Sequence, residues 1–426
     1  MPTITRLDAL EILDGRGLPT LEVSCVLDGA VRANAAVGAP GTPAAGENLE
    51  LRDGDPARYL GQGCRKAALR IEGEIRQALS GKRFGNQAAL DRALAALDPS
   101  SDRSHLGANA ALGISLAFAR AFALLRGVPL YRHFAELVGH TPQHLPLPVT
   151  ELLSHGQDGP SDRGPLAVHV VPLGARSASH ALELGWELRR AVLAAVCRRF
   201  EGGAGLTASG GIKAPFFDTD AQLVEAEAAA RALGKEPGKD VGFLLGAAAS
   251  LRYEQGWYRV DRERLTPHEM IEHYASWTER FAVLGVLDGL GQEDWYNWSQ
   301  LVQRLDKRLY VAGDDLLCSS AGRVRRAVEE KAANTLVLKP GQAGTLTDAA
   351  DAVKAGRKGK FTLVVGARLG ETEDTWLADL AVGFGAELLA IGPLAHAERF
   401  AKLNRLLAIE KKTGWRTYDP AAADRA

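Results

Sequence analysis

This chain lacks most of the features that assign a protein quickly to a specialised class. Cysteine occurs only four times in 426 residues, at Cys25, Cys64, Cys197 and Cys318. The four are scattered, with no CxxC pair and no metal-type spacing. That excludes a disulfide scaffold or a cysteine-ligated zinc site and leaves reduced, mostly buried thiols as the expectation. Charge of one sign is missing too. Lys+Arg 51 against Asp+Glu 52 gives a formal charge of -1, so neither nucleic acid nor an anionic membrane is an expected partner. Long apolar runs are absent: the stretch Ala110–Leu125 is broken by Arg120 and reads as too short to span a bilayer. The start, MPTITRLDAL, lacks the basic-then-apolar layout of a secretory signal. Together these absences point to a cytoplasmic protein.

What is present is a globular composition, 46% hydrophobic and 24% charged. The length exceeds one ordinary domain and favours a small domain followed by a large one. In the first part, Leu21–Leu27 and Val31–Val37 read as strands, followed by a Gly/Pro/Ala loop over Gly38–Gly46. Helices are expected around Gly63–Ser80 and Asn109–Leu125, the second apolar on nearly every face and opened by Asn109 as N-cap. The run Pro142–Pro148 reads as a crossover between domains, placing the boundary at 139/140. Beyond about Val241 the pattern becomes short apolar strands alternating with amphipathic helices. The strands are Val241–Ala247, Val283–Leu287, Leu309–Ala312, Thr335–Lys339, Phe361–Val365 and Leu388–Ile391. Thr266-Pro267-His268-Glu269 opens one helix with a capping box and proline at its first position. Repeated βα units favour a parallel α/β barrel whose chemistry lies where the strands end. The residues there are Gly246, Asp288, Asp314, Lys339, Arg368 and Ala390, which is thin for a metal enzyme.

Several ordered segments carry a resemblance. They are Glu11–Gly17 (EILDGRG), Glu50–Asp55 (ELRDGD), Leu106–Ala110 (LGANA), Gly313–Leu316 (GDDL), Gly370–Thr375 (GETEDT) and Glu398–Asn404 (ERFAKLN). Over Ile4 to Gly414 the chain resembles enolase (phosphopyruvate hydratase). The resemblance implies a small α+β N-terminal domain, residues 1–139, followed by an enolase-type β/α barrel, residues 140–426. It also implies a chemistry. A lysine removes a proton alpha to a carboxylate, Mg²⁺ ions stabilise the resulting dianion, and a glutamate protonates the leaving hydroxide.

Carried over position by position, most of that machinery is replaced. The family's three metal carboxylates fall on Gly246, Leu287 and Asp314, so Asp314 alone is retained. Its two acidic catalytic residues fall on Ala167 and Ser209, and its lid histidine falls on Asp158, with His155 nearby. Ala367 and Leu369 flank Arg368 where the family reads Ser-His-Arg-Ser, and the second lysine has become Ala390. The base lysine is kept as Lys339, and the mobile-loop serine aligns near Thr42. Asp314, Lys339 and Arg368 alone would leave a faintly cationic pocket.

The expected ligand contacts are Lys339, Arg368, Thr42 and Gln342, with a small phosphorylated or carboxylate molecule as partner and no cofactor. Each has a plainer reading beside it. Lys339 could only pair with Asp314, Arg368 could contact the Glu371–Asp374 loop, and Gln342 sits in a glycine-rich turn that needs little further explanation. Ser209 lacks a GxSxG frame and a base in sequence, which argues against a nucleophile. Glu371, Glu373 and Asp374 read as carboxylates favoured at a helix start. The leading expectation is an enolase-like pseudoenzyme. Two alternatives stay open: an enzyme of altered chemistry built on Lys339, such as a different lyase, and a structural protein with a vestigial pocket. The family resemblance also implies a homodimer, with Glu22 at a contact whose arginine partner falls on Ala408.

Overall fold

The computed structural model describes the chain apart from residues 155–166, 201–203, 208, 214–217, 261–262 and 421–426. The N-terminal part is an antiparallel meander of β1 (Ile4–Leu13), β2 (Pro19–Leu27) and β3 (Val31–Ala36). Against β2 and β3 lies the helix Ala108–Leu125. Its small residues let it approach closely: a Cβ at Gly113 would stand 2.5 Å from Val23 Cγ2. By length and composition this helix could cross a membrane, but most of it is buried on the sheet. Tertiary packing, rather than the shortness expected from sequence, accounts for its apolar faces.

Asn109 does not cap that helix. Gly107, at φ 90°, takes the cap position, where a Cβ would stand 2.5 Å from Leu51 Cβ. Asn109 instead lies inside the first turn, where its Oδ1 accepts from Leu51 N at 3.1 Å and its Nδ2 donates to Leu51 O at 3.3 Å. It fastens the Glu50–Asp55 segment to the helix. The helix expected over Gly63–Ser80 runs from Arg65 to Leu79, with a π-helical stretch at Ile71–Ile75.

The remainder is a closed eight-stranded barrel wrapped by helices. Its strands are β4 (Leu147–Ser154), β5 (Ala167–Val171), β6 (Gly242–Gly246), β7 (Val283–Leu287), β8 (Tyr310–Gly313), β9 (Thr335–Leu338), β10 (Thr362–Gly366) and β11 (Leu388–Pro393). Each pairs with the next, and β11 closes on β4. The expectation of an all-parallel barrel is corrected here, because β5 runs antiparallel to both neighbours. The other strand pairs of the barrel are parallel. The βα rhythm read from the sequence starts only after β4 and β5, so these two strands were not recognised. The Pro142–Pro148 run is thus less a linker than the approach to β4, which begins at Leu147.

Inside the barrel, Leu147, Val149, Leu244, Ala312, Val337 and Leu388 form a filled apolar layer. Side-chain chemistry is confined to the strands' C-terminal end, as in barrels generally. The Thr266 capping box forms as expected: Thr266 Oγ1 accepts from Glu269 N, and Glu269 Oε2 accepts from Thr266 N.

Candidate functional site

A cavity of about 270 Å³ lies over the C-terminal ends of the strands, bordered by Glu151, His169, Asp314, Lys339, Arg368 and Arg399 among others. It adjoins an outer cleft of about 250 Å³ under the Pro40–Ala44 loop, with Asp288, Asp314, Lys339 and Arg368 shared between the two. Thr42 belongs to this outer cleft and is exposed on its loop.

Lys339 follows β9, and its Nζ donates to Asp314 Oδ2. Asp314 Oδ1 accepts from Gln342 Nε2 at 3.2 Å, and Gln342 Oε1 accepts from Ser319 Oγ at 2.8 Å. Ser319 Oγ in turn accepts from the backbone N of Lys339 at 2.9 Å, closing a ring of hydrogen bonds. Burial disfavours the Lys339 ammonium, but the Asp314 carboxylate outweighs it and leaves the lysine pKa above its usual value. Lys339 is therefore a cation with a partner. Gln342, 1% exposed, is part of the support for that pair.

Arg368 follows β10 but points into the other domain. Its Nη1 and Nη2 donate to Glu47 Oε2 and Oε1 at 3.1 and 3.0 Å, the bidentate fork that suits guanidinium and carboxylate. Its contact with the Glu371–Asp374 loop is made by the backbone, where Arg368 N donates to Glu371 Oε1 at 2.6 Å. Glu47 lies 321 positions away in sequence, and no local motif flagged it. It corrects the charge balance: Lys339 with Asp314 and Arg368 with Glu47 cancel, so the retained pair of cations does not make a cationic pocket.

Two further carboxylates crowd Asp314. Oxygen atoms of Asp288, Asp314 and Asp315 lie within 4.8 Å of one another. Asp288, held at φ 50° just after β7, accepts from Asp314 N at 2.9 Å and Asp315 N at 3.0 Å. Burial, then its acidic neighbours, hold the Asp288 carboxyl well above the ordinary range. The same causes raise Asp315 to about 6.

The replaced positions converge at this end of the barrel. Gly246 sits opposite Ala167 across the β5–β6 pair and opposite Leu287 across β6–β7. A Cβ at Gly246 would stand 2.9 Å from His169 Nε2, so His169 takes the space a side chain there would need. Desolvation pushes the His169 ring down to about 4, so it is neutral at physiological pH. Ala367 and Ala390 are joined by a backbone hydrogen bond, Ala367 N to Ala390 O, at 2.9 Å. Ser209 shares a 2.9 Å hydroxyl contact with Thr207, which is not a base. His155 and Asp158 lie outside the described residues.

Sequence reasoning missed Glu151 and Arg399. Glu151 stands on β4, the strand that went unrecognised, and burial raises its carboxyl to about 7. Arg399 lay in a matched segment but was not read as a site residue; it is 4% exposed and borders the cavity.

Two family models match this chain. One, described as the enolase C-terminal TIM barrel domain, covers residues 142–422, and the other, the enolase N-terminal domain, covers residues 4–134. The chain belongs to the enolase family. Enolases use Mg²⁺ at this face of the barrel, held by carboxylate oxygens. In this enolase homologue Gly246 and Leu287 offer no side-chain oxygen. Both oxygens of Asp314 accept hydrogen bonds, from Lys339 and from Gln342. Asp288 Oδ1 is engaged by two backbone N–H groups.

Proposed function

We propose that this member of the enolase family does not dehydrate 2-phosphoglycerate and instead holds a small anionic ligand without a metal. The observation that carries the reading is the state of the strand ends: Gly246, Leu287, Ala167, Ser209, Ala367 and Ala390 lack the family's groups, while Lys339 and Arg368 are each neutralised internally. Two of the family's three Mg²⁺-ligand positions lack a side-chain oxygen and the third, Asp314, pairs with Lys339, which supports a metal-free reading. A missing general acid alone costs a factor of about 10²–10⁴. Without the ions, the developing dianion also loses its main electrostatic stabilisation. Lys339 as a free amine, whether base or Schiff-base nucleophile, is disfavoured by the Asp314 charge that keeps it protonated.

The test is calorimetric titration with 2-phosphoglycerate, with and without Mg²⁺. The expected result is no sustained heat of turnover and no dependence on Mg²⁺. Mg²⁺-dependent turnover at an ordinary enzymatic rate would overturn the reading.

A cytoplasmic homodimer completes the proposal. The location rests on composition. The dimer rests on family membership and on Glu22 bordering an open groove with Arg120 and Arg405. With Ala408 at the partner arginine's position, the interface is expected to be weaker than a standard enolase dimer, which sedimentation at micromolar concentration would measure.

A further inference from the structure

We propose that the cavity takes the carboxylate of a small organic acid at Arg399 rather than at Lys339 or Arg368. This rests on the reading that the cavity holds an anion without metal, and it names where the anion sits and of what class it is.

The argument begins with the distribution of uncompensated charge. Lys339 and Arg368 face carboxylates within ion-pair distance and have little attraction left for a third charge. Arg399 is different. Its Nη1 donates to Ile391 O and its Nη2 to Leu369 O at 3.3 Å, both neutral carbonyls rather than a carboxylate, while its Nε, like that of Arg368, is buried with no partner. Behind it, Arg189 Nη2 donates to Gly210 O at 2.8 Å, and its Nη1 is also buried without a partner. Among the described residues neither arginine makes an ion pair within 4.0 Å. The acidic group near both is Glu151, whose Oε1 is buried and unpartnered. Among the described residues, two guanidinium groups face this one carboxyl, a local excess of positive charge whichever form Glu151 takes. A buried cation without a counter-charge is costly, and an anion in the adjoining cavity would offset that cost.

The backbone is built to this arrangement. A Cβ at Gly392 would lie 2.7 Å from Arg399 Nη1, and one at Gly211 would lie 2.0 Å from Glu151 Oε1. A side chain at either position would displace these charged ends. The hydroxyls of Ser154, Thr207 and Ser209 border the same cavity and add neutral donors suited to carboxylate oxygens. A volume of about 270 Å³ admits an acid of a few carbons, below the range of drug-sized ligands.

The experiment uses malonate and inorganic phosphate as probes, titrated calorimetrically into the full chain without Mg²⁺. Malonate is expected to bind saturably, and Arg399→Lys to weaken it by roughly ten- to a hundredfold, the loss of a charge-assisted contact. The double variant Lys339→Met with Asp314→Leu is expected to stay within about threefold of wild type, since the pair contributes no net charge. Should Arg399→Lys fail to fold, Glu151→Gln at pH 8 serves instead and is expected to tighten malonate binding by removing the competing carboxylate. Malonate binding that ignores Arg399→Lys, weakens in Glu151→Gln, or disappears with the Lys339–Asp314 pair overturns the inference. So does phosphate binding without malonate binding. Each of these outcomes differs from Mg²⁺-dependent turnover of 2-phosphoglycerate, which would defeat the functional reading itself.

Discussion

Glu151 and His169 titrate in opposite senses in the folded protein, and the contrast gives a residue-scale prediction. Glu151 is raised from 4.5 to about 7, so between those values the native state holds a proton that the unfolded chain has released. Its contribution is complete below pH 4.5 and falls as pH rises towards 7. His169 is lowered from 6.5 to about 4. Its contribution is complete above pH 6.5 and is lost as pH falls towards 4. Glu151→Gln should therefore flatten a decline of stability on the neutral side, on the order of 1–3 kcal/mol. His169→Phe should flatten a decline on the acid side. Urea midpoints from pH 4 to 8 measure both, and identical pH profiles for wild type and Glu151→Gln would count against the stated environment. At the same scale, Lys339→Met leaves Asp314 without its cation. Breaking a mostly buried pair from one side costs about 3–5 kcal/mol, while replacing both partners is far milder. Denaturation of Lys339→Met against the Asp314→Leu double variant shows whether the pair behaves so.

Between elements, the packing of β5 against β6 controls whether Gly246 can accept a carboxylate side chain. Any side chain at Gly246 meets the His169 ring at 2.9 Å, and overpacking of this kind costs about 1–3 kcal/mol. Gly246→Asp alone should lower the thermal midpoint, and adding His169→Ala should recover most of the loss. If Gly246→Asp is tolerated without the second change, the ring is not the obstacle.

At the scale of the molecule, the two domains are joined by polar contacts drawn from residues far apart in sequence. Asp374 Oδ1 accepts from Arg120 Nη2 at 2.5 Å, and Asp374 Oδ2 accepts from Ala36 N at 2.9 Å. Trp376 Nε1 donates to Ala36 O at 2.9 Å, and Arg103 pairs with Asp348 at 2.6 Å. Arg368 with Glu47 belongs to the same seam. The Glu371–Asp374 turn is therefore chiefly an interdomain clamp, beyond the helix-start preference that its composition indicates. Calorimetry is expected to show one unfolding transition for wild type. Asp374→Ala should cost about 1.5–3 kcal/mol, as hydrogen bonds to a charged group are lost, and should broaden or split the transition. A single sharp transition with unchanged midpoint would show that the clamp does not couple the domains.

Much of this protein was legible in the chain itself. Periodicity located six barrel strands to within a residue or two, because a buried strand must be apolar wherever it occurs. Residue identity at Gly246, Leu287 and Ala390 already fixed that these positions offer no side-chain oxygen or amine, since no fold can supply a group that the side chain lacks. Three decisions belonged to tertiary structure. The direction of β5 shows only in its antiparallel pairing with β4 and β6, and β4 was concealed by the proline run before it. The charge of the pocket depended on Glu47, which reaches Arg368 from another domain. The surroundings of Arg399 depended on Gly392, which leaves room for its guanidinium, and on Glu151, which Gly211 leaves room for. Pairing and net charge are properties of neighbours in space, and sequence order places those neighbours hundreds of residues apart.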